Sequence, residues 1–116
     1  MRYSKIVIAS LSLTLTACTK AIIDDGSALP PLTETVVYKS DVENIMYNYC
    51  VTCHGGSAPS DGISLTTYEG VRNQAESGQL LHVLNDPINP MPPTALLAVE
   101  IRQRVQKWAN DGFPQQ

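Results

Sequence analysis

Three residues that can bind a metal or react as nucleophiles stand together near the middle of the chain. Cys50 and Cys53 are separated by two residues and His54 follows directly, which gives the pattern C-x-x-C-H. A pair of thiols at this spacing serves three chemistries in proteins: reversible disulfide formation, zinc binding, and covalent attachment of a haem.

The rest of the sequence favours haem attachment. A redox dithiol of the thioredoxin kind lies near a βαβ pattern, and the sequence shows none. A structural zinc takes four ligands, yet the only other cysteine is Cys18 and the only other histidine is His82. In a c-type site, Cys50 and Cys53 form thioether bonds to the two vinyl groups of one haem, and His54 is the proximal iron ligand. We predict one covalent haem c, with zinc and a dithiol as the alternatives.

The chain is short for a self-supporting core. Its 116 residues make at most one domain, with 43% hydrophobic and 6% aromatic residues. A domain of this size has little apolar surface to bury. We expect a covalently bound, largely apolar macrocycle to complete the core, so the apoprotein should be poorly folded.

The N-terminus carries the features of an export signal. Two basic residues precede an apolar segment, residues 6–15, which is too short to span a bilayer comfortably. Residues 15–18 read L-T-A-C, which resembles the bacterial lipoprotein box, in which the cysteine becomes the lipidated first residue of the mature protein. We predict a signal peptide over residues 1–17 and lipidation of Cys18. An ordinary signal peptide with an unrelated cysteine is the alternative.

Export agrees with the predicted haem, because attachment of this kind resembles a process that takes place outside the bacterial cytoplasm. Residue 19 is threonine, whereas lipoproteins retained at the inner membrane often carry aspartate there. We therefore expect a lipoprotein at the periplasmic face of a membrane or at the cell surface, with the outer membrane favoured.

The charge of the chain is acidic. Removal of residues 1–17 takes away two of the eight basic residues and none of the eleven acidic ones, which leaves a formal charge of −5. Such a surface does not suit nucleic acid. It suits a partner protein with a basic patch, through electrostatic steering. Acidity that serves only solubility is the alternative.

Residues 18–38 have no helical period and include D-D-G-S at 24–27 and P-P at 30–31. This composition predicts a lipidated N-terminus followed by a flexible tether, with the domain over residues 39–116. The alternative is that residues 35–38 form a short strand or a clasp on the domain.

Four segments of the domain combine helical periodicity with end signals. They cover, in order, about residues 40–50, 67–77, 79–84 and 97–110. Ser40 begins a capping box at the first helix, and Gly78 suits the end of the second. We predict an all-α domain in which the side chains of Met46 and Trp108 pack in the core.

The loop after the motif, residues 55–62, is rich in glycine, serine and proline. We expect a backbone carbonyl of this loop to accept the proton of His54 Nδ1, which would select the tautomer and raise the basicity of the ligand. Ile63 and Leu65 alternate with Ser64, and we expect them to face the haem or the core.

Met91 stands between prolines in the run N-P-M-P-P, some 37 residues after His54. A soft thioether on a stiff loop is typical of a sixth iron ligand. A methionine packed in a proline-rich turn is the alternative, and His82 is the rival ligand.

Together these motifs resemble a small bacterial class I mono-haem c-type cytochrome. The matching parts are, in the family's order, residues 50–56, 63–71, 89–93 and 100–114. The resemblance implies a cytochrome c-like fold, with about four short helices around one haem bound through Cys50 and Cys53. It also implies axial ligation by His54 and Met91. Ala98 departs from the family, in which serine or threonine often opens the last helix.

The resemblance implies electron transfer rather than catalysis, because an iron with two protein ligands has no open position for a substrate. We expect redox partner proteins, a membrane surface reached through the lipid, and no small-molecule substrate. A haem-based sensor or ligand-binding domain is one alternative, which requires a vacant or labile sixth site. An electron-delivering subunit of a larger oxidoreductase is another.

Overall fold

The described part of the protein is built from helices. The computed structural model describes residues 29–116, and these contain helices and loops without a strand. This agrees with the predicted all-α class. The signal peptide predicted over residues 1–17, the lipidation predicted at Cys18 and the first part of the predicted tether lie outside the described residues.

The helices follow one another with short connections, except before the last one. A π-helical turn at Tyr38–Val42 runs into helix α1 at Glu43–Tyr49, and the chain then forms α2 at Val51–His54 and a 3₁₀ turn at Ser60–Gly62. The remaining helices are α3 at Tyr68–Glu76, α4 at Gln79–Asn85 and α5 at Val99–Asn110. Helix α5 packs against the π-helical turn, α3 and α4. Within residues 29–116 no helix has the length and apolarity to cross a membrane.

The first helical segment begins at Tyr38, so the capping box predicted at Ser40 is wrong. The N-cap residue is Val37, and its backbone N–H donates to Asp41 Oδ2 at 3.1 Å. Tyr38 and Val42 are both buried and lie four residues apart on one face. Burial of this pair extends the helix towards the N-terminus. The carboxylate of Asp41 accepts the backbone N–H at the helix start, as the carboxylate of a capping box does.

The other three predicted helices are confirmed to within two residues at each end. Helix α3 is capped by Thr67, whose Oγ1 accepts the backbone N–H of Gly70 at 3.2 Å. Gly78 ends it with a φ of 81°, a conformation that glycine adopts without strain. Ala98 begins α5 without a side-chain hydrogen bond.

Trp108 of α5 is the centre of an aromatic cluster in the core. Its side chain is fully buried, and the ring centroids of Tyr38, Tyr68 and Phe113 lie 5.1–6.3 Å from its own. The indole Nε1 donates to the carbonyl of Pro114 at 3.0 Å. The rings of Tyr68 and Phe113 stand edge-to-face to the indole, and such contacts stabilise beyond the area they bury. Trp108 is therefore a packing residue against the first helical segment, as predicted.

The start of the first helical segment meets the C-terminal residues beside this cluster. The backbone N–H of Tyr38 donates to the carbonyl of Pro114 at 2.9 Å, and that of Lys39 donates to Gln115 at 3.2 Å. The hydroxyl of Tyr68 donates to the carbonyl of Phe113 at 2.8 Å. These bonds hold the C-terminal residues against the start of the domain.

The segment before the π-helical turn also lies on the domain. Val36 is fully buried. Gln103 of α5 donates from Nε2 to the carbonyl of Pro30 at 2.9 Å, and Arg104 pairs with Glu34 at 3.0 Å. This segment, residues 30–37, is called the clasp below. The sequence pattern places the start of the domain at residue 39. The clasp lies before that residue and still packs on the domain, because Val36 is buried in the core.

Val36→Ala is expected to lower the free energy of unfolding by about 2 kcal/mol, because two buried carbon atoms are lost and a cavity remains. The matched control is Val37→Ala at the half-buried neighbour, which should cost less than about 1 kcal/mol. Denaturant unfolding followed by circular dichroism measures both. Equal unfolding midpoints for the two variants would contradict a packed clasp.

Candidate functional site

The structure brings Cys50, Cys53, His54 and Met91 to one cavity of about 400 Å³. Its size lies in the range of cofactor-binding pockets. The apolar wall comes from α4, from the segment after the 3₁₀ turn and from the loop before α5, with Ile63, Leu65, Leu80, Val83, Leu84, Pro92 and Pro93. Residues far apart in sequence therefore enclose one mainly apolar space with soft sulfur and imidazole donors at its edge.

A kink at Cys50 positions the motif. Its backbone N–H donates to Met46 at 2.8 Å and so closes α1, while its carbonyl accepts from Cys53 at 3.1 Å and from His54 at 2.9 Å. The φ of −122° at Cys50 separates the two helices. One helical turn thus places both thiols and the imidazole at the same cavity. Met46 itself is 1% exposed and belongs to the core, as predicted.

The surroundings of the motif do not suit the two alternative chemistries. Burial raises the pKa of the Cys50 thiol to about 11. A redox dithiol depends on a thiolate that forms near neutral pH, so this environment opposes that role. Within residues 29–116, no group of three or more His, Cys, Asp and Glu side chains is arranged to hold a metal ion. A structural zinc therefore lacks ligands in the described part of the chain.

His54 is oriented by a backbone carbonyl. Its Nδ1 lies 3.1 Å from the carbonyl oxygen of Ile63, and its own carbonyl accepts the backbone N–H of Leu65 at 2.8 Å. Because a carbonyl only accepts, the proton belongs on Nδ1 and the lone pair of Nε2 is left for a metal. The acceptor is one residue beyond the loop in which it was expected. Ile63 and Leu65 both face the cavity.

Gly55 allows the chain to pack closely against Val51 where it leaves α2. A Cβ atom at this position would lie 2.6 Å from the carbonyl oxygen of Val51 and 2.7 Å from its Cγ1. Any larger residue would force α2 to shift, and Cys53 and His54 are on α2. The glycine after the motif is thus required by the packing of this turn.

Met91 reaches the cavity from a long connection. The 13 residues between Asn85 and Val99 contain no helix or strand. The backbone N–H of Met91 donates to the carbonyl of Val83 at 2.9 Å, and the side chain is 39% exposed. Since Val83 also lines the cavity, this hydrogen bond holds Met91 at the cavity wall.

His82 lies away from the cavity. Its side chain is 69% exposed, and its Nε2 is 3.8 Å from Asp86 Oδ2. Helix α4 instead turns Leu80 and Leu84 towards the core, and the helical period then places His82 on the solvent side. His82 does not line the cavity.

Five polar or aromatic residues at the cavity were not predicted from the sequence, namely Tyr49, Ser60, Asp61, Gln74 and Gln79. Asp61 is the only charged residue of the described chain in the lining. Gln74 adjoins the apolar face of α3, three positions after the buried Val71. Helical periodicity could have indicated that Gln74 lies at the cavity, whereas the position of Asp61 depends on the loop conformation.

Comparison with known proteins found no matching family model, no matching curated protein and no matching solved structure. A function for this chain is therefore argued from the residues of the cavity and their geometry.

His82→Ala is expected to leave the optical spectrum of the haem-loaded protein unchanged and its stability within about 0.5 kcal/mol, because the side chain faces solvent. Absorption spectra of the oxidised and reduced forms test this. Loss of low-spin bands in the variant would make His82 an iron ligand and exclude the arrangement described above.

Proposed function

We propose that this protein transfers electrons through one covalently bound haem c. The observation that carries the proposal is the convergence of Met91 with Cys50, Cys53 and His54 at a single apolar cavity. A chance methionine in a proline-rich turn has no reason to lie there. The four residues supply the two thiols, the imidazole and the thioether that a low-spin c-type site takes.

The residues present fit a haem. The cavity wall is mainly apolar, as a macrocycle requires, and Cys50 and Cys53 adjoin it on one helical turn. His54 has its Nδ1 engaged by Ile63, which leaves Nε2 for iron. The polar lining residues, such as Gln74 and Gln79, offer hydrogen bonds to the anionic edge of the group without adding positive charge.

Each residue would then have a distinct role. Cys50 and Cys53 would hold the group covalently, and His54 and Met91 would bind its iron. When bound, the haem supplies a one-electron couple at its iron. A methionine ligand favours the reduced state and raises the reduction potential, and apolar walls do the same by excluding water.

Membrane attachment is part of the proposal. Lipid on Cys18 would restrict the carrier to a membrane surface and raise its effective concentration near partners there. The partners we propose are redox proteins that dock near the cavity mouth in a small, transient interface. An acidic chain of this kind suits partners with basic docking surfaces.

A haem-based ligand binder is the second candidate, and one observation favours it. Met91 is 39% exposed on a connection of 13 residues, so its sulfur is held less firmly than His54. A labile sixth ligand would open the iron to small molecules. Binding of carbon monoxide separates the two functions, because a carrier with Met91 firmly bound resists it.

Replacing both Cys50 and Cys53 by serine is expected to reduce covalent haem to background, because neither thioether can form. A denaturing gel stained for haem measures this in a host that attaches haem c. Cys18→Ser is the matched control, which should keep the haem and move the protein from the membrane to the soluble fraction. Haem that stays on the double serine variant under denaturing conditions would refute attachment at this motif.

Met91→Ala is expected to abolish the sulfur-to-iron absorption band of the ferric protein, to lower the reduction potential, and to let carbon monoxide bind the ferrous form. Optical spectra and a redox titration measure these changes. Ile88→Ala is the matched control, since Ile88 is 82% exposed on the same connection and lies outside the cavity lining. A wild type that binds carbon monoxide as readily as the variant would favour the ligand-binding function.

A further inference from the structure

The connection that carries Met91 has few attachments to the rest of the protein. None of residues 86–98 is buried. Asp86 accepts hydrogen bonds from Ile88 and Asn89, which stay within the connection. Among the hydrogen bonds of the described chain, only the N–H of Met91 reaches from the middle of this connection to a helix, at Val83. Apolar burial therefore does not hold Met91 in place.

One side chain joins the two ends of this connection. Arg102 of α5 donates from Nε to the carbonyl of Leu97 at 2.9 Å. Its second nitrogen donates to Asn85 Oδ1 at 2.8 Å. Asn85 is the last residue of α4, and Leu97 lies two residues before α5. The planar guanidinium thus closes the loop with two hydrogen bonds from one rigid group.

The partners of Arg102 differ from those of the other basic residues. Within residues 29–116, the other four basic side chains pair with a carboxylate, and these are Lys39, Arg72, Arg104 and Lys107. Arg102 bonds only to neutral oxygens. A surface ion pair therefore does not account for its position, whereas closure of the connection does.

The acceptor at the end of α4 is itself held. Asn85 donates from Nδ2 to the carbonyl of Leu81 at 2.8 Å, which fixes the amide so that Oδ1 faces the guanidinium. Val83, which accepts from Met91, lies on the same short helix. Arg102 of α5 therefore holds the connection at its ends, and Val83 of α4 holds it at its middle.

We propose that Arg102 is a positioning residue for Met91: its two hydrogen bonds close the connection and limit how readily the thioether leaves the iron. This inference rests on the proposed function, which makes Met91 an iron ligand. Separation of the two ends of the connection would break these bonds, and a charged donor makes them stronger than neutral ones. Loss of the guanidinium should therefore make exchange of the sixth ligand easier.

The test uses imidazole as a competing ligand of the ferric, haem-loaded protein, with the sulfur-to-iron band as the signal. In Arg102→Gln, the apparent dissociation constant of imidazole is expected to fall about tenfold, which corresponds to about 1.4 kcal/mol. Arg102→Lys keeps the positive charge but lacks the planar guanidinium, and it should lower the apparent dissociation constant of imidazole by a smaller factor. Of the two hydrogen bonds of Arg102, Asn85→Ala removes only the one to Asn85, and it replaces Arg102→Gln in the test if that variant does not fold.

Arg104→Gln is the matched control. Arg104 is on the same helix and pairs with Glu34 at 3.0 Å and Asp41 at 3.3 Å, but it does not contact the connection. Its loss should lower the unfolding midpoint without changing the affinity for imidazole. Equal imidazole affinities in wild type and Arg102→Gln would overturn the proposal, as would an equal shift in Arg104→Gln.

Amide hydrogen exchange at Met91 gives a second readout, because its N–H is bonded to Val83. Exchange should be about tenfold faster in Arg102→Gln than in wild type or Arg104→Gln. If the wild type has no sulfur-to-iron band, the proposed ligation by Met91 fails. The exchange rate still decides whether Arg102 closes the connection, and an unchanged rate would refute it.

Discussion

The hydrogen bonds of Cys50 are the constraint on which the rest of the site depends. Its N–H completes α1 and its carbonyl begins α2, so one residue ends a helix, starts another and lines the cavity. The direction of α1 is set by the burial of Val42, Ile45 and Met46. Packing of the core thereby decides where the two thiols and the imidazole lie, before any cofactor contributes.

Much of this arrangement could be predicted from the sequence, because it depends on local patterns. Helical periodicity and end signals located α3, α4 and α5 to within two residues at each end. The place of His54 beside Cys53 follows from their spacing on one turn. Trp108 was expected in the core because it continues the apolar stripe of α5, and it is fully buried there.

What the sequence indicated least well depends on contacts between distant segments. The sequence offered a clasp at residues 35–38 only as the alternative to a tether, because the packing of this segment comes from partners on α5 about 70 positions later, such as Gln103. The first helical segment begins at Tyr38 and not at Ser40 because Tyr38 is buried against Trp108. The hydrogen bond from Arg102 to the side chain of Asn85 joins two residues that no periodicity relates.

The contact between Tyr38 and the C-terminal residues has a mechanical consequence. A pull on the N-terminal side of the clasp is met first by the bonds of Gln103 and Arg104 and by those between the domain start and Pro114. None of these residues lines the cavity. Tension on the chain before the clasp would therefore be carried first into α5 and the C-terminal residues, and not directly into the residues that line the cavity.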